Sequence, residues 1–172
     1  MENTMEGFLD IFSSNLKIKE EDAAFFLEQM EQKHFTKGQT IVAEGKLNTN
    51  LYVIKKGVVR GVLYFYKTNN DTGKKELDKE KCCYFFEKGQ SFISPFGFAA
   101  NENAKITMEA VNGVTLYCID KKDLTSLCFK YPIIAEIYIY ILNHYILEFA
   151  KNSVFFADNE TAKEKYIKFI KH

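Results

Sequence analysis

Few residues in this chain could do chemistry, and their types narrow what that chemistry could be. Arg60 is the one arginine among 23 basic residues, all the others being lysine. A guanidinium is a planar fork that grips phosphate or carboxylate through paired hydrogen bonds, whereas an ammonium is a point charge. A pocket for a phosphorylated ligand therefore has a single residue of the usual kind to draw on. The cysteines, Cys82, Cys83, Cys118 and Cys128, contain no C-x-x-C pair. An iron–sulfur cluster needs about four convergent thiolates, and adjacent cysteines on a strand point to opposite faces. Cys83 is expected on the inner face of its strand with Phe85, and only Lys81 flanks it to favour a reactive thiolate. Of the histidines His34, His144 and His172, only His34 falls in a strand-like run, too few for the converging set of a roll-shaped metalloenzyme. His144, beside Tyr145, reads as a packed residue rather than a haem ligand. G-x-S-x-G, H-E-x-x-H and Walker patterns are absent. The expectation is a binding or sensing protein, not an enzyme, with no cofactor and no metal.

The background composition sets where such a site could sit. At 172 residues the chain has room for one domain of ordinary size. Its hydrophobic share of 47% and aromatic share of 15% fit a packed core and exclude a disordered class. The 23 basic and 23 acidic residues cancel, so no overall field draws the chain to nucleic acid or an anionic membrane. DNA binding would need another segment. Without a signal-like apolar N-terminus or a disulfide pattern, the compartment expected is the cytoplasm, with free thiols.

Three textures follow one another along the chain. Phe8, Leu9, Ile11 and Phe12 form one apolar cluster and Ala23, Ala24, Phe26, Leu27 and Met30 a second, with Glu20, Glu21 and Asp22 acidic at the start of the latter. This predicts two short helices within residues 1–33. Over residues 34–120, β-branched and aromatic residues gather in short runs: His34–Lys37, Thr40–Ala43, Leu51–Lys55, Val58–Tyr66, Lys81–Phe86, Ser91–Ile93, Lys105–Ala110 and Val114–Ile119. Glycine and asparagine separate them, with a tight turn at Lys56-Gly57, a hairpin signal at Asn112-Gly113 between the last two strands and a longer hairpin tip from Asn69 to Gly73. The spacing predicts an eight-stranded antiparallel β-roll, a meander or jelly roll. From Asp120 the period becomes helical. Asp120 suits an N-cap, and the helix it opens should end at Tyr131 before Pro132, which can start the next. Ile133 to Phe149 is apolar on every side but carries Glu136, Asn143, His144 and Glu148. We read it as a helix buried on two sides, not a membrane span. One side covers the roll, and Ile134, Ile137, Ile141 and Tyr145 are expected to meet a second copy in a homodimer. This helical part is expected to occupy 121–157. A last amphipathic helix from Thr161 to Lys171 belongs to 158–172, expected to be the shortened start of a linker to a further domain.

This plan, with particular segments, resembles the sensor half of Crp/Fnr-type transcription regulators. Phe35-Thr36-Lys37-Gly38-Gln39-Thr40-Ile41 followed by Glu44-Gly45 is similar to that family's opening strands. Leu51 to Gly57 resembles its third strand and turn, and Gly89 the glycine before its ligand cassette. Thr161 to Tyr166 resembles the A-x-E-R-Y segment leading into the DNA-binding domain in members of the Bacteroidetes type. The resemblance implies a small-molecule effector in the roll and a long helix that reports occupancy by dimer packing. It also implies DNA contact only through a C-terminal helix-turn-helix domain, which this chain would lack. In members that bind cyclic nucleotides, a G-E-L followed by R-S or R-T supplies carboxylate and guanidinium. Here Ile93-Ser94-Pro95 and Ala104-Lys105 stand in those places, so both charged residues are absent. On β-period, Arg60 shares a face with Val58, Val62 and Tyr64, while the family's pocket face corresponds to Val59, Gly61, Leu63 and Phe65. The pocket implied comprises Gly61, Leu63, Cys83, Phe92, Ile93, Ser94, Ala104, Lys105 and Ile106. It is mostly apolar, better suited to a small hydrophobic or weakly anionic metabolite than to cyclic AMP. A stand-alone module working through protein contacts is the alternative.

Overall fold

The computed structural model describes residues 19–70 and 72–155, together with 164 and 167. The cluster at Phe8–Phe12 and most of the Thr161–Lys171 helix lie outside the described residues, though Glu164 and Ile167 are helical. In chain order the elements are α1 (Glu20–Glu28), β1 (Glu31–Phe35), β2 (Thr40–Val42), β3 (Asn50–Lys56), β4 (Val59–Thr68), β5 (Lys75–Phe86) and β6 (Ser91–Ile93). There follow α2 (Pro95–Ala100), β7 (Thr107–Ala110), β8 (Val114–Asp120), α3 (Lys121–Lys130) and α4 (Pro132–Phe155).

All eight strands pair antiparallel in two four-stranded sheets, ordered β1-β8-β3-β6 and β2-β7-β4-β5. Neighbours in the sheets are mostly not neighbours in sequence, so the roll is a jelly roll and not a meander. Leu51, Val53, Val59, Phe86, Phe92 and Leu116 fill the space between the sheets. Two strands begin earlier than their composition suggests. β1 opens at Glu31, its polar residues paired with Cys118 to Leu116, because an edge strand needs a partner more than it needs apolar side chains. β5 opens at Lys75, since Lys75 to Lys81 pair with β4 in a two-stranded ribbon wet on both sides, where no apolar alternation is required.

The helices end where side-chain chemistry ends them. The Asp120 carboxylate accepts the Lys122 N–H at 2.8 Å and the Thr49 hydroxyl at 2.5 Å, and these bonds hold its pKa below the usual carboxylate value. Tyr131 is extended at φ −131°, after which Pro132 opens α4. On α4, Ile134, Ile137, Ile141 and Tyr145 are 0, 0, 3 and 8% exposed within the single chain. They pack on the roll, so the expectation that these four meet a second copy is corrected: spacing located a buried stripe but could not say which partner buries it. The side of α4 left open carries Ile139 at 58% and Ile146 at 62% exposure. By length and composition Pro132–Lys151 could cross a membrane, yet its buried stripe is seated on the roll.

Candidate functional site

The site lies on the inner face of the β4–β5–β7 sheet, closed by α4 and by the segment from Gly89 to Ile106. Two hydrogen bonds lock the start of that segment to β3, from the Gly89 N–H to the Ile54 carbonyl and from the Ile54 N–H to the Gln90 carbonyl, at 2.8 and 2.9 Å. Gly89 itself has φ 88°, the left-handed region that glycine enters without strain. β6 then leads to Ser94, the residue before α2. Gly97 allows α2 to lie against the β2–β3 loop, because a Cβ there would sit 1.9 Å from the Asn48 carbonyl oxygen. At the far end, the Asn101 and Glu102 N–H groups cap α2 on the Gly97 and Phe96 carbonyls. Ala104 is then pinned by its N–H to the Lys46 carbonyl and by its own carbonyl to the Gly45 N–H.

This frame encloses little space. A cavity of about 10 Å³ is lined by Tyr84, Ile93, Ser94, Pro95, Phe96, Lys105, Ile106, Met108 and Tyr145, room for about one water molecule. Of the residues expected in the pocket, Ile93, Ser94, Lys105 and Ile106 do line it. Gly61 lies directly behind, with a would-be Cβ 2.7 Å from the Tyr84 ring, 3.2 Å from the Met108 sulfur and 3.4 Å from Ile106. Phe92 is instead core, stacked between Tyr52 and Phe86 at 4.8 and 5.5 Å. Ala104 is buried by its backbone pairing, and Leu63 lies farther along β4, outside the cavity.

The expectation for Cys83 is corrected by a β-bulge. Gly61 stands opposite Tyr84 and Val62 opposite Cys82, so Cys83 is the extra residue of the bulge. The bulge brings Tyr84, not Cys83, opposite Gly61, and Cys82 is the buried thiol of the two. Tyr84, Pro95, Phe96, Met108 and Tyr145 are the lining residues the sequence reading missed. Strict alternation cannot see a bulge, and Tyr145 belonged to the stripe assigned to the dimer. The available signal was Gly61, a side-chain-free position facing a large ring.

An aromatic series links cavity to helix. Tyr84 lies 5.3 Å from Phe149 and 6.2 Å from Phe86, and Tyr145 lies 6.4 Å from Phe86 and 6.2 Å from Phe149. Burial pushes the Tyr84 phenol up to about 12 and raises that of Tyr145, so both are neutral hydroxyls at any physiological pH. A further tie runs from the Gln90 amide to the Glu148 carboxylate at 3.2 Å. His144 has its pKa lowered by burial, against the opposing pull of Glu148.

Arg60 is on the other face of β4. Its Nε and Nη2 both donate to Glu109 Oε2 at 3.2 and 2.9 Å, its Nη1 reaches Glu80 at 3.1 Å, and the Tyr64 hydroxyl donates to the second Glu109 oxygen. The chain's one guanidinium is thus engaged away from the cavity, where Lys105 is the only cationic residue in the lining. A larger, open groove of about 490 Å³ lies between α1, β8 and α3, but Glu31, Asp120 and Asp123 line it against Lys130, a poor setting for a phosphate. Among the described residues no cluster of His, Cys, Asp and Glu could hold a metal ion.

Comparison with known proteins agrees with this architecture. Residues 32–131 match the family model described as the cyclic nucleotide-binding domain. A cyclic nucleotide-binding domain from Methylobacillus flagellatus superposes with a TM-score of 0.66 at 14% identity, covering 87% of this chain and 80% of that one. The Thermus thermophilus catabolite activator protein gives 0.56 at 19% identity, and here 78% of this chain spans only 56% of the regulator. The N-terminal domain of a transcriptional regulator from Streptomyces coelicolor A3(2) gives 0.55 at 18% identity, over 81% and 90% of the two chains. At these identities the likeness is one of fold. No curated protein matches the chain.

Proposed function

The chain belongs to the cyclic nucleotide-binding domain family, and from that premise we propose that it is the effector-sensing and dimerising part of a Crp/Fnr-type bacterial transcription regulator that does not respond to cyclic AMP. Its role is regulatory rather than catalytic. The observation that carries the missing cyclic AMP response is the cavity, about 10 Å³ with Tyr84 in place, against the roughly 300 Å³ or more of an ordinary small-molecule pocket. The missing ribose carboxylate and phosphate guanidinium point the same way, and Arg60 is already neutralised by Glu109 and Glu80.

The regulator part of the reading is supported by fold likeness to the Thermus and Streptomyces proteins and by α4. Ile139 and Ile146 are one heptad apart, the repeat of a two-helix seam, and at 58 and 62% exposure they lie on the side that the roll leaves open. We place the homodimer on this seam. DNA contact would come through a further domain following α4, and the protein would work in the cytoplasm. The same open seam also supports a second reading, a module that docks on other proteins. Whether the gene encodes a helix-turn-helix after His172 separates the two.

Thermal unfolding with added cyclic nucleotide tests the effector part. A ligand present at a hundred times its Kd adds about 2.7 kcal/mol, worth roughly 5–10 °C in a domain of this size. We expect no change of Tm with cyclic AMP or cyclic GMP, and a shift of that size with either would overturn the reading.

A further inference from the structure

The cavity is small with Tyr84 among its walls, and its polar lining is incomplete. The Tyr84 ring lies against the bare backbone of Gly61, with Met108 and Ile106 beside it, so the missing Cβ is what makes room for a ring there. Ser94 is 5% and Tyr145 8% exposed, and neither hydroxyl has a hydrogen-bond partner among the described residues. A buried hydroxyl is stabilised by a partner, so two of them lining one small space can be completed by a ligand that accepts from both. Lys105 stands at the rim of the same cavity, its ammonium 6.0 Å from the Phe96 ring centroid, and no carboxylate lines the space.

We propose that this pocket is a site for a small aromatic carboxylate, entered when the Tyr84 ring swings out. The ligand's ring takes the bed on Gly61, Ile106 and Met108, and its carboxylate accepts from the Ser94 and Tyr145 hydroxyls and pairs with Lys105. A phosphate is disfavoured because the lining offers one ammonium and no guanidinium. This rests on the reading that the pocket is the sensor site. It adds a consequence for α4, because Tyr84 cannot leave its bed without giving up its contact with Phe149.

The test is titration of benzoate, toluene and cyclic AMP into the wild type and into Tyr84→Ala, read by the Met108 methyl resonance. Circular dichroism confirms the fold, and Tyr84→Leu replaces the alanine variant if that one unfolds. Removing the plug should tighten benzoate by about tenfold or more. In the unplugged background, Ser94→Ala and Lys105→Gln should each weaken benzoate, Lys105→Gln by about tenfold, without moving toluene. Equal benzoate affinity in plugged and unplugged protein would overturn the proposal, as would toluene binding as tightly as benzoate. Cyclic AMP binding to the wild type at micromolar concentration would instead sink the proposed function, whatever benzoate does.

Discussion

Arg60 has the side chain a cyclic phosphate needs, and the face of its strand assigns it other work. Period two on β4 was enough to place it opposite Gly61. The sequence could not show Glu109, Glu80 and Tyr64 converging on it, because Glu109 comes from a strand far along the chain. Glu109→Ala should cost about 1–3 kcal/mol in urea unfolding, because it strips a half-buried guanidinium of its main partner. The double variant with Arg60→Met should recover part of that loss. At Gly97 a methyl group would collide with the Asn48 backbone, so Gly97→Ala should destabilise by about 3 kcal/mol or more. Asp120→Ala should cost about 1 kcal/mol at neutral pH by uncapping α3. The folded carboxyl has a lowered pKa, so its contribution is present above the unfolded value. It disappears as pH falls through the folded value, and wild type and variant should converge in acid-side denaturation curves.

The elements were legible wherever local chemistry sets them. The Asp120 cap and the Tyr131-Pro132 break are encoded within a few residues, whereas the Asn112-Gly113 hairpin does not form, because β7 pairs with β2 and β4 and β8 with β1 and β3. Elements that depend on a distant partner were not: the polar first half of β5 is a strand only because β4 pairs with it. The bulge at Cys83 is the costliest of these omissions, since one extra residue exchanged a thiol for a phenol at the centre of the site. On α4, the apolar pattern on all sides implied a buried stripe, but which face meets the roll depends on how the helix is seated. Ile137→Ala should therefore act on folding and cost about 2–4 kcal/mol in the chain itself. Ile139→Glu and Ile146→Glu should leave the fold intact and shift the protein from dimer to monomer in sedimentation. A monomeric wild type, or a dimer indifferent to both charges, would remove the seam from the account.

At the scale of the whole molecule, a jelly roll and a long helix meet over a space that the chain fills with its own aromatic side chains. The fold could be read in advance because strand spacing, turn glycines and helix caps agree with one another. Occupancy of the pocket could not, since it depends on Tyr84, Met108 and Tyr145 arriving from three elements. The central claim, that this member of a cyclic nucleotide-binding family holds no place for a cyclic nucleotide, is tested most directly by equilibrium displacement of labelled cyclic AMP and cyclic GMP on the wild-type protein. The account predicts no saturable binding of either label up to millimolar competitor. Saturable binding at micromolar concentration, displaced by the unlabelled nucleotide, would contradict it.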